Sequence, residues 1–346
     1  MTPFTAPPLW PDIRAGRFAE TIVQSDSAHP DRDAEAFASG MRVALLGLAD
    51  DTGVRMNHGR PGAQAGPAAF RAALAKYGSA AADPGAAEPR ETTRPAPYSR
   101  SLPGIFDAGD IIPAGSLEET HDRVTAATGH LVSIGYFPIG IGGGHDLTFP
   151  FVRAVIDAHR RSMPPQAGGH ASAPFCGFYL DAHLDVREEP GSGMPFRRLV
   201  EACGVSSLTC VGYDPFANAA DHLRWFRAHA GRTLGVAEAE RVFSMLANSP
   251  APGFVSIDLD SLDAAFAPGV SAVNPCGLAP PLACRFARAA GETDSLKCFD
   301  IMELSPRFDP DGRTARLAAR LLLEFLAGFA TRAGSHPAGS SASHAG

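Results

Sequence analysis

The segment YFPIGIGGGHDLTFPFVRAVIDAHR, residues 136–160, changes its period halfway along. Tyr136 to Ile141 is a short apolar run of the kind that forms a buried parallel strand, and Leu147 to Arg160 repeats apolar residues at helical spacing. Between them lie three glycines and the polar pair His145 and Asp146. The same alternation continues on both sides. Strands are predicted at Met41–Asp50, in GIFDAGD after Pro103, at Phe175–Leu180, at Ser207–Tyr213, in GFVSIDLD and in SLKCFDIM. Helices are predicted at Ser116–Ile134 (Ser116 as cap), Phe196–Ala202, 218–229, 236–247, Pro281–Ala290 and Thr314–Ala330. Strands alternating with helices give an α/β fold with a mostly parallel sheet covered on both faces.

Outside this pattern the chain is of another character. Residues 1–40, rich in Pro, Ala and charge, read as an arm on the surface, and Ser79–Pro103 as a loop full of breakers. The low-complexity tail 331–346 is expected to be disordered. No repeat and no linker divides the remainder, so 41–330 is expected to be one domain.

Composition removes several classes of function. A hydrophobic share of 45% excludes general disorder, and 36 glycines without a Gly-X-Y period exclude collagen. A net charge of −7 argues against nucleic acid or an anionic membrane as partner. No apolar run nears the ~18 residues of a membrane span, and the N-terminus lacks the pattern of a secretory signal. Six cysteines without a CxxC pair read as reduced thiols, so the cytoplasm is the expected location.

Ligand sites of open α/β sheets lie at the carboxyl ends of the strands. Three polar clusters sit there: GGGHD (His145, Asp146), DAHLDVR (Asp181, His183, Asp185, Arg187) and SIDLD (Asp258, Asp260). In an extended chain every second side chain points the same way, so Asp181, His183 and Asp185 converge, as do Asp258 and Asp260. Four carboxylates crowded at one sheet edge repel unless cations neutralise them, and two divalent ions balance the charge. Oxygen ligands with two imidazoles and no cysteine favour Mn²⁺ over structural zinc. Each motif alone has a plain reading: a tight turn with a helix-capping Asp146, or a solvated loop. Their joint occurrence at successive strand ends does not.

GGGHD, DAHLD, SIDLDSLDAAFAPG and MELSP together resemble the ureohydrolases, which include arginase, agmatinase and formimidoylglutamase. The resemblance runs from about Asp51 to Phe329. It implies a three-layer α/β/α fold with an eight-stranded, mostly parallel sheet, two Mn²⁺ ions, and hydrolysis of a C–N bond in a linear amidine. By resemblance the first ion takes His145, Asp181, Asp185 and Asp258. The second takes His183, Asp181, Asp258 and Asp260, with Asp181 and Asp258 bridging. Glu303 matches the carboxylate that grips the amidine, and it joins Asp146 as a candidate catalytic residue. The resemblance also suggests a homo-oligomer, a trimer or hexamer.

Within that family the closest pattern is formimidoylglutamase. EEPGSGMPFRRL carries Ser192 where arginases and agmatinases place a proton-shuttling histidine, and it matches Ser-Gly-Thr-Pro-Phe-Arg except for Met194. The stretches Asp51–Leu74 and SPRFDPDGRTARLAAR resemble the same subgroup. N-formimidoyl-L-glutamate has two carboxylates, which want arginine partners, and Arg187, Arg197 and Arg60 are the candidates beside Ser192. The expected reaction yields L-glutamate and formamide, as in histidine degradation. The alternatives are a guanidino substrate or a non-catalytic metal-binding homologue.

Overall fold

A computed structural model describes residues 1–80, 102–163 and 174–332. Its strands are β1 (Thr5–Ala6), β2 (Val23–Gln24), β3 (Met41–Gly47), β4 (Gly104–Ile111), β5 (Phe137–Ile141), β6 (Cys176–Leu180), β7 (Ser207–Val211), β8 (Gly231–Leu234), β9 (Gly253–Asp258) and β10 (Leu296–Met302). The helices are α1 (Arg32–Ala38), α2 (Thr52–Met56), α3 (Gly66–Leu74), α4 (Leu117–Ile134), α5 (Thr148–Ser162), α6 (Pro195–Cys203), α7 (Ala220–Ala228), α8 (Val242–Ala247), α9 (Pro280–Glu292) and α10 (Arg313–Phe329).

One sheet runs in the order β1-β4-β3-β5-β10-β9-β6-β7-β8, with β2 also on β4. The strands β3 to β10 are all parallel and form the expected eight-stranded sheet. The two-residue pieces β1, antiparallel, and β2 extend it to ten.

Alternate side chains of each strand feed two separate cores, as burial on both faces requires. Val43 and Leu45 join the core under α3, α9 and α10, built around Phe70, Phe286 and Phe325. Ala44 and Leu46 join the opposite core with Val124, Phe151 and Phe196 from α4, α5 and α6. The result is three layers. Ser116 caps α4 as expected, its Oγ accepting from the Glu119 amide at 3.2 Å.

The structure departs from the sequence reading in several places, among them the unread helices α2 and α3. Residues 1–40 are not merely an arm: they supply β1, β2 and α1, and Phe18, Ala19 and Ile22 are buried in the core. Strands of two residues carry no readable period. The short strand β8 went unread, because Gly231 and Arg232 interrupt its apolar pattern. The segment 236–247 begins as a 3-10 turn over Val236–Arg241, and only Val242–Ala247 is α-helical. Most of the breaker-rich loop (81–101) and of the tail (333–346) lies outside the described residues.

Candidate metal centre

The strands β5, β10, β9 and β6 are neighbours at the middle of the sheet, and the chemistry lies where they end. After β5 the chain turns through Gly142 and Gly143, both at positive φ; a Cβ on Gly143 would lie 2.0 Å from the Leu48 carbonyl oxygen. This turn delivers His145 into the site on a 3-10 turn before α5. After β6 come Asp181, His183 and Asp185, the last at φ 48°. After β10 comes Glu303, at φ 65°. Two non-glycine residues in this sparsely populated region mark a site held by its surroundings.

His145 Nδ1 lies 3.3 Å from Asp181, 2.9 Å from Asp185 and 3.1 Å from Asp258. His183 Nδ1 lies 3.2 Å from Asp181 and 3.4 Å from Asp260. Two groups of potential ligand atoms result, each within 4.8 Å: His145, Asp181, Asp185 and Asp258, then Asp181, His183 and Asp260. Asp181 belongs to both. Asp258, which the resemblance implies as a second bridge, is grouped with the first set, and its Oδ1 accepts from the Asp260 amide at 2.8 Å.

The donor set fits divalent cations. His145 Nδ1, Asp181 Oδ2 and Asp260 Oδ1 are buried and lack a hydrogen bond of good geometry, although they point into one region. Burial opposes charge on His145, yet its contacts with Asp181, Asp185 and Asp258 hold the imidazole well above its usual range. The nearby charge of Asp260 raises His183 likewise. Burial, with repulsion from Asp260 and Asp181, pushes Asp258 well up, and burial lifts Asp260 to about 6. Burial also raises Asp185, whereas bonds from His145 and His183 outweigh burial to hold Asp181 down. The raised groups share one cause, crowded negative charge that needs positive charge beside it. Divalent ions bound by oxygen and imidazole would supply the same charge.

Residues behind the ligands hold them in place. His145 Nε2 is 3.0 Å from Ser256 Oγ, and that hydroxyl donates to Asp300, its cross-strand partner on β10. With Nε2 protonated, Nδ1 keeps its lone pair for an ion. The His145 amide donates to Glu303 Oε1 at 2.9 Å, and the Glu303 amide donates to the Gly143 carbonyl at 2.9 Å. Burial lifts the Glu303 carboxyl to about 8 and Asp300 to about 6. Ser256 and Asp300 were missed in the sequence reading. The signal was present, since Ser256 continues the alternation of Asp258 and Asp260 backwards by two.

The remaining candidates are dispersed. Asp146 is fully buried but bonds through Oδ2 to His121 Nε2 of α4 at 2.9 Å, outside both ligand groups. It fills the space above Gly53, where a Cβ would lie 2.1 Å from Asp146 Oδ1. The histidine was unreadable as its partner, lying 25 positions earlier. Arg197 bonds to Glu188 and Glu201 and stacks over Trp225, and Arg60 donates to the carbonyls of Val270 and Ser271 and covers Phe308. Both are engaged in the protein. Ser192 meets the amide of Asn57: after the amide is turned to satisfy its neighbours, Asn57 Oδ1 accepts from the Gly193 N–H at 2.7 Å. Arg187 is exposed, with its stem against Gly193, and among the described residues its guanidinium has no hydrogen bond or ion pair.

Residues 41–328 match the arginase family. The chain is 32% identical to the formimidoylglutamase of Ralstonia nicotianae, over 92% of this chain and 93% of that one. Among solved structures, the Mn²⁺-bound formiminoglutamase of Trypanosoma cruzi superposes with a TM-score of 0.71 at 28% identity, covering 85% of this chain and 95% of that one. The proclavaminate amidino hydrolase of Streptomyces clavuligerus superposes with a TM-score of 0.68 at 26% identity, covering 84% and 92%.

Proposed function

The chain belongs to the arginase family, and we propose that it is a Mn²⁺-dependent hydrolase converting N-formimidoyl-L-glutamate and water into L-glutamate and formamide. The observation that carries this reading is the pair of ligand groups joined through Asp181. The named relatives supply the substrate.

Bound at these residues, two Mn²⁺ ions would supply Lewis acidity and lower the pKa of water toward neutral. His145, Asp181, Asp185 and Asp258 would hold one ion, and Asp181, His183 and Asp260 the other. The rest is the work of the chain. Glu303 presents a buried carboxylate to the amidine, held by the His145 amide. Water oxygen becomes the formamide oxygen as the C–N bond breaks, and the glutamate nitrogen takes up a proton. Ser192 offers no imidazole for that transfer, so the proton comes from another group or from solvent. Arg187 is our candidate for meeting a substrate carboxylate, a reading supported by its exposure on the ligand-bearing loop and by a guanidinium without protein partners among the described residues.

The likeness to a proclavaminate amidino hydrolase favours a guanidino acid as the second reading. Product analysis of Mn²⁺-loaded protein with formimidoylglutamate, arginine, agmatine and guanidinobutyrate tests both. Turnover of formimidoylglutamate at least tenfold above the others is expected; preference for a guanidino compound overturns the assignment. No helix among the described residues is long and apolar enough to cross a membrane. A cytoplasmic homo-oligomer, trimer or hexamer, acting on a small molecule completes the proposal.

A further inference from the structure

We infer that Asn218, which touches no ligand atom, is a positioning residue that sets the affinity of the half of the metal centre built on His183. This inference rests on the binuclear reading above.

The two imidazoles are supported differently. His145 is 1% exposed and is gripped by Ser256 and, through its amide, by Glu303. His183 is 31% exposed, and its loop has already left the sheet: Asp181 is the last residue to bond across it, to the Val211 carbonyl at 3.0 Å. A loop at such an edge carries backbone groups that need partners from elsewhere. Asn218 supplies them on both sides of His183. Its Oδ1 accepts from the Leu184 N–H at 2.8 Å, and its Nδ2 donates to the Ala182 carbonyl at 2.8 Å. The second Nδ2 hydrogen goes to the Asp214 carbonyl, also at 2.8 Å, so the amide is pinned in one orientation. Asn218 is in turn fixed by its place just before α7. The Cys210 thiol donates to the carbonyls of Asp181 and His183, and the Asp214 amide donates to Ala182.

Only a side-chain amide has a donor and an acceptor at the separation needed to clasp residues 182 and 184 together. A carboxylate of the same shape would turn an oxygen toward two carbonyls. An apolar residue would leave the Leu184 N–H unpaired. Either change leaves the peptide planes on which the His183 ring is mounted to the bonds from Cys210 and Asp214 alone, with the Leu184 N–H unclasped, while the supports of His145 stay intact.

Equilibrium dialysis with Mn²⁺, and the spin-coupled electron resonance signal of an ion pair, test this directly. Wild-type protein should take two ions. Asn218→Ala should keep one tight ion, bind the other about 10–100-fold more weakly, and lose the coupled signal at low Mn²⁺. Asn218→Asp should be no better. Phe216→Ala, at a 98% exposed position of the same loop, should leave both ions unchanged. Should Asn218→Ala not accumulate folded, Asn218→Ser, too short to clasp both residues, makes the same comparison. Two wild-type affinities in the variant, or equal weakening of both, overturn the inference. A wild-type protein that takes one ion overturns the binuclear reading itself, and this inference with it.

Discussion

The floor and the rim of the site are built from different materials. The floor, with His145, Asp181, Asp258, Asp260 and Glu303, stands on the ends of four adjacent strands and is buried throughout. The rim, with His183, Arg187 and Ser192, lies on loops after β6 and is reached by solvent. Floor residues are held by strand register and by one another: Ser256 faces Asp300 across β9 and β10, and Glu303 bonds to the His145 amide. Rim residues are held by side chains borrowed from other loops, Asn218 under His183 and Asn57 under Gly193. A site divided this way can keep its ions fixed while substrate contacts vary. Relatives of one fold named for different substrates, a formiminoglutamase and a proclavaminate amidino hydrolase, suit such a division.

The largest effect should come from the floor. Asp181→Ala removes the ligand common to both groups, so metal analysis should find both ions lost and turnover down by about 10⁴-fold or more, roughly 5 kcal/mol of barrier. Asp258→Ala, in the first group only, should cost mainly one ion. Equal loss of both ions from Asp258→Ala would restore it as a second bridge.

Arg187→Ala probes the rim. It should raise KM for formimidoylglutamate and lower kcat/KM by about 2–4 kcal/mol, leaving metal content unchanged. An analogue lacking one carboxylate should feel the change less. Equal losses on both substrates would remove Arg187 from the distinctive carboxylate. The competing role, bracing of its loop through Glu188 or Glu189, would instead lower stability without changing substrate preference; Glu188 is paired with Arg197 in the structure.

Ser256→Ala returns to the floor from behind. Without the hydroxyl, His145 loses the partner that fixes its tautomer, and affinity for the first ion should fall about 10–100-fold. If the second ion suffers instead, floor and rim do not behave as separate units. Acid should act on both halves. The carboxylate contacts raise both imidazoles in the ion-free protein, so ions must displace protons. Mn²⁺ affinity should therefore fall as pH falls, by up to about tenfold per unit for each proton displaced. Calorimetry in buffers of different ionisation heat would count those protons, and a count of zero would contradict it. The smallest effect is expected from Ser192→Ala, within about tenfold or ~1.4 kcal/mol of wild-type turnover. A loss of several orders of magnitude would give the Ser192 hydroxyl a direct part in the proton transfer.

How much of this was legible divides along the same line. The alternation of strand and helix, and the placing of His145, Asp181, His183, Asp185, Asp258 and Asp260 at strand ends, depend on periods of two and 3.6 that a sequence displays openly. The arginine candidates show the limit. Arg60, Arg187 and Arg197 are equal in charge and all lie near the motifs. Glu201, four residues on in the same helix, was a readable partner of Arg197. Only folding brought Glu188 and Trp225 to Arg197, and the Val270 and Ser271 carbonyls to Arg60, leaving Arg187 unengaged among the described residues.

The sequence by itself therefore determined the layers, the sheet and which six side chains can face a metal, because these follow from local geometry repeated along the chain. Tertiary structure decided which groups stand behind those six. Asn218 lies 34 residues from Leu184, His121 25 from Asp146, and Ser256 44 from Asp300. A hydrogen bond requires its partners within about 3 Å of one another and says nothing of their distance along the chain. No local period records such pairs, and they exist only once the strands and loops have been brought together.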